Sequence, residues 1–123
     1  VIFAGARKDI PALMSASDLF VLPTLTEALP TVLAEAMASY LPILACRVGG
    51  VPEMVEDGIN GRLVTPADSQ QLASACNEML KQPDVLFEMG QAGRRIVEEK
   101  FNVHVQVQKL QSLYQNLITT YEK

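Results

Sequence analysis

At 123 residues, with 49% hydrophobic, 20% charged and 6% aromatic side chains, the chain can bury one real core and is too short for two. A formal net charge of −4 and the lack of a basic stripe argue against nucleic acid as a partner, and apolar runs such as "LFVL" are far too short to span a bilayer. Two cysteines, Cys46 and Cys76, sit thirty positions apart with no C-x-x-C pair, so each is expected to be a reduced cysteine of an apolar interior.

The chain opens on the strand-like "VIFAG" and not on methionine, which suggests a natural N-terminal part ahead of it. From there, short β-rich runs alternate with helical patterns, the mark of β-α-β units and a parallel sheet. The expected strands are "VIFA" (1–4), "DLFVLP" (18–23), "LPILAC" (41–46) and "GRLVTP" (61–66). They are continuous apolar runs, as suits strands covered on both faces. Between them "DIPALMSAS" (9–17), "PTVLAEAMAS" (30–39) and "VPEMVED" (51–57) are expected to be short helices.

The last third is helical. Asp68, with Gln71 three residues on, caps a helix whose Leu72, Ala75, Cys76, Met79 and Leu80 share one face, ending near Pro83. A second helix, from about Asp84 to Lys100, sets Leu86, Met89, Gly90, Gly93 and Val97 on one stripe. Asn102 opens a third, in which Val103, Val107, Leu110, Tyr114, Leu117 and Tyr121 recur at steps of four and three. Leu113 and Ile118 widen that face beyond what a small sheet can cover, so it is expected to dock outside this chain or to drive self-association.

The stretch "TLTEALPTVLAEAMA" (24–38) carries the chemistry, because two carboxylates, Glu27 and Glu35, stand eight positions apart in an apolar run. Pro30 has no N–H to donate and holds Leu29 extended, so a helix is expected to start at about Pro30. Glu27 is then left in the loop at the carboxyl end of a parallel strand, where open α/β sheets bind ligands. At about 100° per residue, Leu29, Val32, Leu33, Ala36 and Met37 form the buried face, while Glu35 lies about 120° away, above Thr31. The unpaired first-turn N–H groups, those of Thr31 and Val32 included, suit a phosphate, and the carboxylates suit hydroxyls. A nucleoside-diphosphate sugar satisfies all three parts. The competing reading of Thr24-x-x-Glu27 is a capping box, which Pro30 weakens, and Glu35 alone can equally be a solvated helix glutamate.

"FVLPTLTEALPTVLAEAMASYLPILACRVGGVPEMVEDGINGRLVTPAD" resembles the C-terminal, donor-binding domain of retaining GT-B glycosyltransferases of group 1. The resemblance rests on an E-x7-E motif, an "EAMA-x-G-x-P"-like segment, a "GG-x-PE" loop and an "NG" turn before "LV-x-P-x-D", in fixed order along essentially the whole chain. It implies a Rossmann-like parallel sheet flanked by helices, the partial C-terminal half of a GT-B enzyme as a single domain over 1–123, with a helical C-terminal extension. It also implies that Glu27 approaches the donor sugar as the catalytic residue and that Glu35 holds the ribose hydroxyls. The amides of Leu29, Thr31 and Val32 would face sugar and diphosphate, and Arg7 would lie by the nucleobase, although a solvated loop arginine is as good a reading.

No cofactor and no metal are implied beyond the donor substrate. The acceptor site would belong to an N-terminal domain, and the phosphate-binding Arg and Lys of the family would lie upstream of "VIFAG", so this chain alone is expected to be inactive. The implied location is cytoplasmic, with peripheral membrane contact open for the longer protein. Gly49 and Gly50 are expected to serve a tight turn near the site more than ligand contact, and His104 to pack or be solvated. Two departures stand out: Ala28 follows the first glutamate, and Tyr40 replaces a glycine that ends a left-handed helix terminus, so Tyr40 either bears strain or marks a different turn. A UDP-sugar 2-epimerase-like enzyme and a non-catalytic assembly module of the same fold are the alternatives.

Overall fold

A computed structural model describes residues 1–121. Three parallel strands, β1 (Phe20–Leu22), β2 (Ile43–Cys46) and β3 (Gly61–Val64), lie side by side in that order. Leu22 is in register with Ala45, and Ala45 with Leu63. Every residue of β2 is buried, as a central strand covered on both faces requires. Its alternating side chains split the core accordingly. Ile43 and Ala45 join Met14, Leu33, Met37, Val51 and Met54 on one side, whereas Leu44 and Cys46 join Val64, Ala75, Met79 and Met89 on the other.

The helices follow the expected order: α1 (Ile10–Ser15), α2 (Thr31–Ala38), α3 (Val51–Met54), α4 (Ser69–Leu80), α5 (Pro83–Lys100) and α6 (Val103–Tyr121). Asp68 caps α4 as its sequence foretells, accepting from the Gln71 N–H at 2.8 Å. Asn102 accepts from the His104 N–H at 2.9 Å at the start of α6. The α5 stripe of Leu86, Met89, Gly90, Gly93 and Val97 is buried, so that this helix reaches both halves of the core. No residue of α6 is buried: its apolar face, from Val107 through Leu117, is open, and His104 is exposed. Among the described residues no helix is long and apolar enough to cross a membrane.

The expected first strand is not formed. "VIFA" is irregular, and Val1, Ile2 and Phe3 stand fully exposed. An apolar run becomes a strand only where its N–H and C=O groups meet a ladder; this one pairs with none of the described strands, and β1 is left as an edge bonded to β2 alone.

The α2 terminus settles the question raised by Tyr40. The Leu41 N–H donates to the Ala36 carbonyl at 3.0 Å and the Tyr40 N–H to Met37 at 3.1 Å, the paired bonds of a Schellman ending. Tyr40 holds the left-handed position at φ 60°. The turn is therefore the one a glycine would make, and a side chain with a β-carbon bears its strain.

Candidate functional site

The candidate site is built where β1 and β2 end. Residues 23–30 leave the carboxyl end of β1 as a loop, and Pro30, extended at φ −73° and ψ 109°, is the N-cap of α2. The helix thus begins at Thr31, one residue later than the sequence suggests, since Pro30 keeps non-helical angles. Leu29 falls outside it and is 48% exposed, which removes it from the buried face on which the helical period put it. Leu33, Ala36 and Met37 are wholly buried, and Glu35 and Thr31 are exposed on the outer side, as the wheel requires.

Nothing helical begins at Thr24, and its buried hydroxyl oxygen has no hydrogen-bond partner among the described residues. The capping-box explanation of Glu27 is thereby excluded, since such a box needs a helix start at Thr24 and a bond back to it. Neither Glu27, half-buried, nor Glu35 makes a side-chain hydrogen bond or ion pair within the described residues. Five of the eleven other carboxylates among the described residues are ion-paired, Asp9 with Arg7, Glu78 with Arg62, Glu98 with Arg94, Glu56 with Lys100 and Asp57 with Arg47, so it is their place beside the start of α2, and not their freedom alone, that sets Glu27 and Glu35 apart.

Between the two glutamates, the Leu33 N–H turns back to the Pro30 carbonyl at 3.1 Å. Among the described residues the N–H groups of Thr31 and Val32 have no backbone acceptor, as the geometry of a helix start dictates. This loop leans on the β2–α3 turn. The Gly50 N–H donates to the Ala28 carbonyl at 2.7 Å, and Gly49, at φ +48°, sits so close that a β-carbon there would meet the Glu27 carbonyl oxygen at 1.6 Å. Beyond serving the tight turn expected of them, these glycines touch the Glu27 loop itself.

Glu35 borders a groove of about 270 Å³ between α1 and α2, lined with Ile10, Pro11, Met14, Ala38 and Ser39. A second hollow of about 160 Å³ lies over the carboxyl ends of the strands, walled by Pro23, Leu25, Cys46, Ala67, Asp68 and Leu72. Its lining was not singled out from sequence, for apolar and capping residues carry no chemical signature. Arg7 is bound to Asp9 in the exposed loop before α1, and each raises the ionised fraction of the other: the arginine pKa is pushed up and the carboxylate's down by their hydrogen bond. Among the described residues Arg7 makes no hydrogen bond or ion pair to the start of α2.

Chemically, then, two free carboxylates flank a pair of unpaired N–H donors at the positive end of a helix. The middle of such a constellation accepts an anion, and its ends accept hydroxyls.

Comparison with known proteins bears on what that ligand is. The family model described as glycosyl transferases group 1 matches residues 1–82. The N-acetyl-alpha-D-glucosaminyl L-malate synthase of Bacillus anthracis is 31% identical over 96% of this chain and 31% of its own length. The MMP alpha-(1->4)-mannosyltransferase of Mycolicibacterium hassiacum is 36% identical over 94% of this chain and 27% of its own. Among solved structures, Anabaena Alr3699/HepE in complex with UDP and glucose superposes with a TM-score of 0.86 at 34% identity, covering 94% of this chain and 32% of that one. The chain therefore spans about a third of the length of the relatives it matches.

Proposed function

Because the chain belongs to the group 1 glycosyl transferases, we propose that its residues 27–35 form one wall of a donor site for a nucleoside-diphosphate sugar. The longer protein carrying it would transfer that sugar to an acceptor with retention at the anomeric carbon. Glu27 orients the donor sugar at the reacting carbon. The amides of Leu29, Thr31 and Val32 receive the diphosphate, and Glu35 receives the ribose hydroxyls. No metal and no cofactor take part beyond the donor.

The observation that carries this reading is the pairing of two unengaged carboxylates with unpaired N–H groups at the start of α2. The fold's likeness to a protein held in complex with UDP, and also in complex with UDP-glucose, supports the ligand class. As the diphosphate departs, developing negative charge would sit against fixed donors that need no reorganisation. Arg7 keeps a weaker place in the proposal, beside the base, since its guanidinium is already held by Asp9.

Magnitudes say how the wall behaves alone. A helix N-terminus contributes about 1 kcal/mol, up to about 2 in partly buried geometry, and a charged hydrogen bond about 1.5–3 kcal/mol. Their sum corresponds to affinity of roughly millimolar order. The chain by itself is thus expected to bind donor weakly and to catalyse no transfer.

The test is titration of the chain with UDP-glucose, GDP-mannose and ADP-glucose to millimolar concentration, following backbone amide signals. Shifts confined to residues 27–35 and the β2–α3 turn are expected with one nucleotide. No shift with any of them would contradict the proposal and favour an assembly module, while sugar epimerisation by the longer protein without acceptor would favour the epimerase.

A further inference from the structure

We infer that Gly49 and Gly50 are positioning residues for Glu27, setting its approach to the donor sugar from the neighbouring turn. The inference rests on the donor-site reading above and adds a part which that reading does not contain.

The Glu27 loop has little else to hold it. Residues 23–30 form no helix or strand, and the Glu27 and Ala28 carbonyls are not committed to any element of the sheet. What fixes them is the turn between β2 and α3. The Gly50 N–H donates to the Ala28 carbonyl at 2.7 Å, a short bond between two loops far apart in sequence.

Both glycines are needed for that approach, each for its own reason. At Gly49 the backbone is left-handed and a β-carbon would overlap the Glu27 carbonyl oxygen at 1.6 Å. Gly50 has ordinary angles, φ −82° and ψ 3°, which any residue adopts. Its constraint is space alone: a β-carbon would stand 2.2 Å from the Ala28 carbonyl oxygen and 3.0 Å from the Leu29 side chain. Adding that carbon forces the Glu27 loop and the β2–α3 turn apart.

Helix α2 would not follow. Leu33, Ala36 and Met37 are wholly buried and anchor Glu35, Thr31 and Val32 independently of the loop. Displacing the loop should therefore move the sugar-facing carboxylate, with the Leu29 amide, while sparing the ribose contact and the two helical amides of Thr31 and Val32 that hold the diphosphate. That predicts a loss in kcat with donor KM held.

Gly90 supplies a matched control. A β-carbon there would stand 2.2 Å from the Tyr40 carbonyl oxygen, the same crowding as at Gly50, but where α5 crosses the end of α2. In the longer protein that carries this chain, the donor turned over fastest among UDP-glucose, GDP-mannose and ADP-glucose would be used throughout. Gly50→Ala is expected to lower kcat at least about tenfold with donor KM within about threefold, whereas Gly90→Ala changes both by less than about threefold.

Equal loss in the two variants, or no loss in Gly50→Ala, would overturn the inference and leave the donor-site reading standing. If the unaltered protein turned over none of the donors, the reading itself would fall, and the inference with it. Should the variants fail to fold, the unaltered chain decides: the Gly50 amide is expected to exchange slowly and to show through-bond coupling to the Ala28 carbonyl. Free exchange without coupling would contradict it.

Discussion

The guanidinium of Arg94, on α5, donates to the carbonyl of Ala38, in the last turn of α2, at 2.6 Å. The same group lies 5.4 Å from the centroid of the Tyr40 ring and is held from behind by Glu98 at 2.7 Å. One arginine thus satisfies an orphan carbonyl, complements the negative helix end and stacks on the residue that closes it.

Arg94→Ala should therefore destabilise the fold by about 1–3 kcal/mol, the range of a charge-assisted bond to a partly buried acceptor. Urea unfolding measures it. A loss below about 0.5 kcal/mol would show the contact to be incidental.

Ala67 carries strain without such compensation. It stands at φ 61°, in the turn between β3 and α4, where only glycine is at ease. Ala67→Gly is expected to raise stability by about 0.5–1 kcal/mol, the relieved strain exceeding the added freedom of the unfolded chain. Thermal unfolding that shows a lower midpoint would contradict this.

Asn60 is buried completely, and its side chain accepts from the Glu56 N–H at 2.7 Å while donating to the Met54 carbonyl at 3.0 Å. It ties the end of α3 to the start of β3. Asn60→Leu leaves both backbone groups unpaired in the interior and should cost about 2–4 kcal/mol, read by denaturant unfolding. A cost under about 1 kcal/mol would mean that water replaces the amide.

The Arg62–Glu78 pair, 2.7 Å apart, links β3 to α4 across the surface. Hydrogen bonds from Arg62 and then Ser74 hold the Glu78 carboxyl below its ordinary 4.5. A depressed folded value means that the stabilisation is full above about 4.5 and is lost as pH falls through the lower folded value. The stability difference between the unaltered chain and Glu78→Gln should accordingly shrink on acidification. A difference that stays constant from neutral pH to well below the ordinary carboxylate range would remove the pair from the acid response.

Much of this was legible in the sequence, and for physical reasons. Continuous apolar runs announced β1, β2 and β3; β2, buried along its whole length, leaves no room for alternation, whereas β1 and β3 are only partly covered. Asp68 announced α4, since capping is local chemistry. What was illegible depended on contacts between distant segments. "VIFA" has the composition of a strand and pairs with none of the described strands. Leu29 has the period of a core residue and lies one cap short of the helix. Asn60 reads as a turn residue, and its burial follows from α3 folding over it. At the candidate site the position of Glu35 came from the wheel alone, whereas the grip of Gly49 and Gly50 on the Glu27 loop is a tertiary contact with no periodic signal.

The role proposed for Glu35, holding the ribose hydroxyls, is open to direct measurement. UDP, GDP and ADP would be titrated against the unaltered chain and Glu35→Ala, together with the 2′,3′-dideoxy form of whichever binds best. Glu35→Ala should weaken the ribonucleotide about tenfold, the worth of roughly 1.4 kcal/mol, and leave the dideoxy form bound equally by both chains. Equal weakening of the two nucleotides, or none of either, would contradict the account.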